Sequence, residues 1–332
     1  MIDKSPKFSR RSLLAGAAGT AAATALSGHL ALPATAKTPL LGASRPTHYR
    51  FKLGAFEVTT LYDGAIAIPK VYPIFGKNQK LEDVQAFLSE NHLPTDKMSI
   101  SFTPVIVNTG KEVVMFDSGY GEERRAKGAG MAASALAAAG LTPDQIDVIV
   151  ITHAHPDHVS GLMENGKANY PNARYVVGDV EYNFWSRKEL LESSSKNMVR
   201  RATAVHNNLV PLAAKASFIK PGADVVTGIT SLGAFGHTPG HMCFHIQSAG
   251  KRFLIFADTT NHYVASLAKP DWHCAFDMDA EAAVISRKKI LDMIATEKIA
   301  SAGYHMPFPA VGYVEKQGSG YRWVPASYQL DL

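Results

Sequence analysis

Residues 148–158 read VIVITHAHPDH: an unbroken β-branched run that stops on three histidines and an aspartate within six positions. Such a run is the pattern of a strand covered on both faces, because a half-exposed strand would alternate with polar residues. A chain containing it therefore has to supply two covering layers. Upstream, SFTPVIVNTG and KEVVMFDSG predict two strands joined at a Thr-Gly turn, and RRAKGAGMAASALAAAGLTPDQID predicts an Ala-rich helix ended by Gly140. Strand, helix, strand is a βαβ unit. Ligand sites in such layouts lie beyond the carboxyl ends of the strands, where His153 to His158 fall.

A second half follows the same logic. VVTGITSLGAFG, HMCFHIQSAG and KRFLIFADTT predict three strands, AEAAVISRKKILDMIATEK an amphipathic helix, and IASAGYH a last strand. Polar residues that could serve a site, His237, Asp258 and His305, stand where three of these strands stop. The coarse repetition predicts two stacked sheets with helices outside, an αββα sandwich. Ahead of it, YRFKLGAFEVTTLYDGAIAIP reads as a hairpin with Gly54 near its turn. The stretch from Lys70 to Ser99 is irregular apart from LEDVQAFLSE, a short helix, and suits a lid or a dimer arm. The expected organisation is thus 37–99 for the hairpin and arm, 100–310 for the sandwich and 311–332 for strands that complete it.

One histidine after a strand is ordinarily a polar end residue. Three of them with an aspartate are another matter, since neutral imidazoles and carboxylates are the usual ligands of zinc and related divalent ions. In a tight turn His153 and His155 can converge on one point while Asp157 and His158 converge on a neighbouring one, so the stretch supplies parts of two sites. His237 and His241 are nearly equal candidates to complete the first. No G-x-S-x-G elbow offers a serine nucleophile. The glycines between Lys127 and Gly130 lack the strand-then-helix context of a phosphate loop and read as a glycine pair in the helical region.

H-x-H-x-D-H after an apolar strand resembles the signature of the metallo-β-lactamase superfamily, and other matching pieces run in that family's order from Ile100 to His305. Asp117 in VVMFDSG, His237 in GHTPGH, Asp258 in FLIFADT and His305 in SAGYH each have a counterpart there. The resemblance implies that His153, His155 and His237 hold one ion, that Asp157, His158 and His305 hold another, and that Asp258 bridges them. It favours His237 over His241 and implies two divalent ions, zinc before others. Asp117 and His241 are then expected to support the ligands from behind, because a ligating imidazole needs a partner on its other nitrogen.

Within the superfamily the chain is similar to methyl parathion hydrolase and its lactonase and arylesterase relatives. YRFKLGAFEVTTLYDG, the EYNFW helix piece, the interval of about 21 residues between His237 and Asp258, and the segment GSGYRWVP at Gly318 to Pro325 carry that likeness. The residues after Asp258, TTNHYVASLAKPDWHCAFD, depart from that group's pocket. The activity implied is hydrolysis of a lactone or activated ester, with a phosphotriester as a side substrate and Asp157 moving the proton. Trp185, His262, His273 and Phe308 are expected near the substrate, Trp185 also being a natural core residue. Other activities of the same fold are a mononuclear-iron oxidation, as in sulfur dioxygenases, and β-lactam or thioester hydrolysis. A non-catalytic binding protein of this fold ordinarily lacks ligands, and all seven are present here. No cysteine takes a ligand position, which argues against the cysteine-containing β-lactamases. A homodimer is in keeping with the family.

The first 36 residues stand apart. A basic start with twin arginines Arg10 and Arg11 before Ser12-Leu13-Leu14, an apolar middle and the end Ala34-Thr35-Ala36 predict a twin-arginine export signal, hence a periplasmic mature protein of about 296 residues. A membrane anchor is the lesser reading, because the apolar part is rich in Ala and Gly and interrupted by His29 and Pro33. The signal carries three of the five net positive charges of the 332-residue chain. What remains is too little for binding nucleic acid. Cys243 and Cys274 are expected as two buried thiols, although export would permit a disulfide.

Overall fold

The computed structural model describes residues 38–326 and 329–332; the export signal expected over residues 1–36 lies outside them. The chain divides into a compact unit, Arg45–Leu332, and a second unit, Met1–Ser44. Of the latter, residues 38–44 are an exposed segment without helix or strand. Among the described residues no helix is long and apolar enough to cross a membrane.

Two seven-stranded sheets build the compact unit. The first runs His48–Leu53, Phe56–Leu61, Val105–Asn108, Val113–Phe116, Val148–Ile151, Arg174–Gly178, Ala216–Ile219. Its first four strands pair antiparallel and the rest parallel. The second runs Asp224–Val226, Ile229–Gly233, Met242–Ser248, Lys251–Ala257, Ala300–Gly303, Val311–Gln317, Gly320–Pro325. Its one parallel pair, Lys251–Ala257 with Ala300–Gly303, is joined through the helix Ala280–Glu297.

The strand Val148–Ile151 shows why the chain spends apolar residues on both faces. Val148 and Val150 point into the cluster between the sheets, whereas Ile149 and Ile151 point to the opposite cluster under the outer helices. Side chains alternate with period two, so a strand covered on both sides needs an apolar residue at every position. A third cluster, with Leu254, Leu291 and Ile294, lies under Ala280–Glu297 on the outside of the second sheet. The layers are helix, sheet, sheet, helix.

Three local expectations need correction. The Ala-rich helix spans only Ala132–Ala138. Gly128 and Gly130, at φ +87° and +81°, lie in a loop before it, a conformation a right-handed helix cannot contain. That loop wraps around the buried Asp63, whose carboxylate accepts from the backbone N–H of Tyr120, Gly130 and Ala132 at 2.9, 3.2 and 2.7 Å. VVTGITSLG is two strands, since Gly228 at φ +87° turns the chain back. Gly64–Ile68 leaves the N-terminal hairpin to pair with Met98–Phe102 in a separate ribbon. The helix Leu81–Glu90 forms as expected and buries Val84 and Leu88 in a cluster with Phe75. Cys243 and Cys274 are both free and buried.

Candidate metal centre

Every polar candidate at a strand end reaches the same end of the sandwich. The turn after Val148–Ile151 leads through His153 and His155 into the short helix Pro156–Val159, with Pro156 at its first position, where a missing N–H costs nothing. Ala257, the last residue of its strand, adopts φ +46° beside a register shift in the pairing with Ala300–Gly303. A bulge of this kind re-aims the next side chain, here Asp258.

Two donor sets result. Ligand atoms of His153, His155, His237 and Asp258 all lie within 4.8 Å of one another, and so do those of Asp157, His158, Asp258 and His305. Asp258 belongs to both. Its Oδ2 is 3.3 Å from His237 Nε2 and 3.0 Å from His305 Nε2, and its Oδ1 is 3.4 Å from His158 Nε2. His153 Nε2 and His237 Nε2 each approach His155 Nδ1 to 3.0 Å.

The unsatisfied atoms give the test of fit. Buried polar atoms are nearly always paired, yet His158 Nε2 and Asp258 Oδ1 are buried without a hydrogen-bond partner. Both face the donor sets. An orphaned lone pair on an imidazole and another on a carboxylate, aimed at one point, suit a divalent cation and no protein donor. Burial works against the charge of Asp258, but the imidazoles of His305, His158 and His153 outweigh it and hold the carboxyl well below the usual range.

Several of the ligands are braced from behind, whereas His155 Nε2 has no partner among the described residues. Asp117 Oδ2 accepts from His158 Nδ1 at 2.8 Å, which directs the other nitrogen of His158 inward. Thr152 donates to both Asp117 oxygens, from its backbone N–H at 2.9 Å and its hydroxyl at 2.8 Å. Ser101 O accepts from His305 Nδ1 at 2.8 Å. His241 uses both ring nitrogens on the backbone, donating from Nδ1 to Ala234 O at 3.0 Å and accepting at Nε2 from Asp258 N–H at 3.1 Å. With nothing left to offer a cation, it positions Asp258. Burial, with the neighbouring His237, pushes its pKa down to about 3.

Two bracing carboxylates escape a reading of the sequence. Asp277 Oδ1 accepts from His237 Nδ1 at 2.8 Å. Glu181 is completely buried and accepts four hydrogen bonds, from Ala154 N–H and Trp185 Nε1 at 2.8 Å on one oxygen and from Thr238 Oγ1 and Gly240 N–H at 2.7 and 2.8 Å on the other. It ties the His153–His155 turn to the His237 loop. Burial raises its pKa against the pull of those four donors. A signal for Glu181 does exist in the sequence: it stands four residues before Trp185, a charged residue in helical register with an aromatic one. Nothing local marks Asp277.

A cavity of about 240 Å³ opens onto His155, Asp157, His237, Asp258 and His305. Its other walls are apolar, among them Ile68, Ile100 and Phe276, and cationic, with Arg124, Arg200 and Arg201. None of the four residues expected near the substrate lines this cavity. Trp185 is fully buried behind His155, ring centroids 6.0 Å apart. His262 packs edge-on against Phe75 at 5.3 Å, and His273 approaches Glu281 at 3.3 Å. Phe308 lines an adjoining cavity that shares His305. The loop after Asp258 folds back on the Phe75 cluster, which withdraws its histidines from the ligand side.

The sequence profile described as Metallo-beta-lactamase superfamily matches residues 103–295. No curated protein sequence matches the chain. Among solved structures, the chain is similar to AidC, a dizinc quorum-quenching lactonase in complex with a product, N-hexanoyl-L-homoserine, at 26% identity and TM-score 0.78, over 85% of this chain and 98% of that one. It is similar to AbOPH, a hydrolase in the beta-lactamase superfamily, at 27% identity and TM-score 0.78, over 86% and 100%. A probable metal-dependent hydrolase from Staphylococcus aureus, 20% identical with TM-score 0.67 over 83% and 99%, shares the fold.

Proposed function

The chain belongs to the metallo-β-lactamase superfamily, and from that premise we propose that it is a dinuclear metal-dependent hydrolase of lactones and activated esters. The observation that carries the proposal is the sharing of Asp258 between two complete donor sets. His153, His155 and His237 take one ion, Asp157, His158 and His305 the other, and Asp258 both. Two divalent cations there, zinc by the character of the donors, would polarise the scissile carbonyl and bring a water's pKa close to neutral.

The chain's own groups supply the rest. Asp157 lines the cavity and keeps its Oδ2 3.4 Å from His158 Nε2 and 3.5 Å from His305 Nε2, so its carboxylate can take a proton from the attacking water and return it to the leaving oxygen. The Tyr304 hydroxyl donates to Asp157 O at 2.5 Å and fixes that turn. Apolar walls keep bulk water from the reacting carbonyl and receive an acyl chain.

Likeness to a dizinc lactonase at 26% identity supports a lactone as substrate. Kinship with the methyl parathion hydrolase group, and phosphotriester turnover as a side activity, are part of the proposal, since both reactions build oxyanion charge at the same place. So are export to the periplasm through the twin-arginine signal and a homodimer.

Metal content of the mature protein, with initial rates on an acyl homoserine lactone, dihydrocoumarin, a p-nitrophenyl ester, methyl paraoxon and nitrocefin, tests the reading. About two zinc ions per chain, as two-metal chemistry at a shared-ligand site requires, with lactone or aryl ester fastest, is the expected result. One iron per chain and no hydrolysis of the panel would move the protein to an oxidative reaction.

A further inference from the structure

The cavity over the donor sets has a charge balance that ester hydrolysis by itself does not need. Arg201, on the helix Lys196–Asn208, is 8% exposed and lines the cavity. Its one hydrogen bond among the described residues is a long one, from Nη2 to Phe276 O at 3.4 Å, out of five N–H groups that a guanidinium offers. Arg200, beside it, donates to Asn197 Oδ1 at 3.0 Å, and Arg124 lies over the Tyr120 ring at 5.3 Å. Among the described residues none of the three forms an ion pair with a carboxylate. The carboxylates lining the same cavity are Asp157 and Asp258, which belong to the donor sets.

Three guanidinium groups from two separate elements thus face one small cavity with no counter-charge of their own. A buried, unpaired cation is costly, and the cost is recovered when an anion with matching acceptors arrives. Burial and the adjacent Arg200 both lower the pKa of Arg201, against the pull of Asp157.

We propose that Arg201, with Arg200 and Arg124, forms a subsite for an anionic group on the substrate, so that the preferred substrate is an ester or lactone carrying a carboxylate at a distance from its scissile carbonyl. The apolar wall of Ile68, Ile100 and Phe276 accommodates the carbon chain between the two. This subsite rests on the hydrolase reading, and a matched pair of esters distinguishes the failure of one from the failure of the other.

Rates on the metal-loaded enzyme are compared for two esters with equal carbon number, mono-4-nitrophenyl adipate, which ends in a carboxylate, and 4-nitrophenyl hexanoate, which does not. The expected kcat/KM ratio favours the adipate by about tenfold or more at low salt, the worth of a charge-assisted hydrogen bond, and shrinks as salt screens it. Arg201→Gln and the exposed Arg200→Gln should each lower that ratio, and Arg201→Lys should restore part of it. A wild-type ratio of one or less, or a ratio that neither glutamine variant moves, overturns the subsite. If neither ester is hydrolysed, the ester reading fails, and calorimetry with adipate and hexanoate as inert probes decides the subsite. Tighter adipate binding that Arg201→Gln abolishes upholds it; equal affinities overturn it.

Discussion

His237 Nδ1 donates to Asp277 Oδ1 at 2.8 Å, and the other oxygen of Asp277 accepts from Arg287 Nη2, also at 2.8 Å. Burial of Asp277 opposes its charge, but His237 and Arg287 outweigh burial and keep its carboxyl below the ordinary range. Arg287 is itself 1% exposed and anchors three backbone carbonyls, Thr259, Pro270 and Trp272. One carboxylate thereby links an inner ligand to the loop that follows Asp258. Against its burial, Asp258 and, after it, Asp277 make His237 more basic; Asp277→Asn removes the second of these charges, and zinc affinity should fall by about 10- to 100-fold. Competition with a chromogenic chelator reads this directly; an unchanged affinity would mean that the charge of Asp277 does not support His237 as a ligand.

Glu181 presents a different kind of dependence, because it joins two loops rather than a loop and a helix. Glu181→Ala leaves Ala154 N–H, Gly240 N–H, the Thr238 hydroxyl and Trp185 Nε1 without their acceptor. Destabilisation on the order of 3–5 kcal/mol is expected, the range for breaking a buried charged network. Urea unfolding of holoenzyme should show a lower midpoint at unchanged slope. A loss under about 0.5 kcal/mol, the size of an ordinary surface change, would show the network to be dispensable.

His262 predicts a pH dependence that belongs to the loop rather than to the metals. Its Nδ1 accepts from the N–H groups of Val264 and Ala265 at 3.1 Å, and burial pushes its pKa down to about 4. An unfolded histidine titrates near 6.5. Between those values the unfolded chain binds the extra proton, so the contribution of neutral His262 is complete above about pH 6.5 and lost as pH falls toward 4. His262→Asn retains an acceptor and cannot titrate. The melting temperature of the variant should therefore drop less than that of the wild type between pH 7.5 and 5, and parallel profiles would refute the assignment.

Removal of the metals should act on stability as well as on rate. A cation that binds only the folded chain stabilises it by mass action. Chelation should accordingly abolish hydrolysis and lower the melting temperature, both returning with zinc. His153→Ala and Asp258→Ala should each empty at least one site and cost most of the activity. Two bound metals and near-normal turnover in Asp258→Ala would dismiss the shared-ligand arrangement.

The strands that carry the donor residues are legible in the sequence because each is a short local pattern. VIVI before His153, FLIFA before Asp258 and ASAG before His305 all form strands, and the helix Ala280–Glu297 follows its predicted span. The Ala-rich helix reads too long because alanine propensity says nothing about Asp63, 69 residues away from Ala132, which pins the loop in front of it. Trp185 and His262 match a pocket expectation by sequence position, yet packing turns one behind His155 and the other against Phe75.

By itself, the sequence determined which residues could ligate metal and at which strand ends they stand, since alternation along a strand and the chemistry of imidazole and carboxylate are local properties. Tertiary structure alone decided the rest: that His241 turns both nitrogens to the backbone, that Asp277 and Glu181 brace the ligands across 40 and 27 residues, and that three arginines share a cavity. Those relations depend on contacts between segments distant in sequence. No periodicity within either segment records where the other will lie.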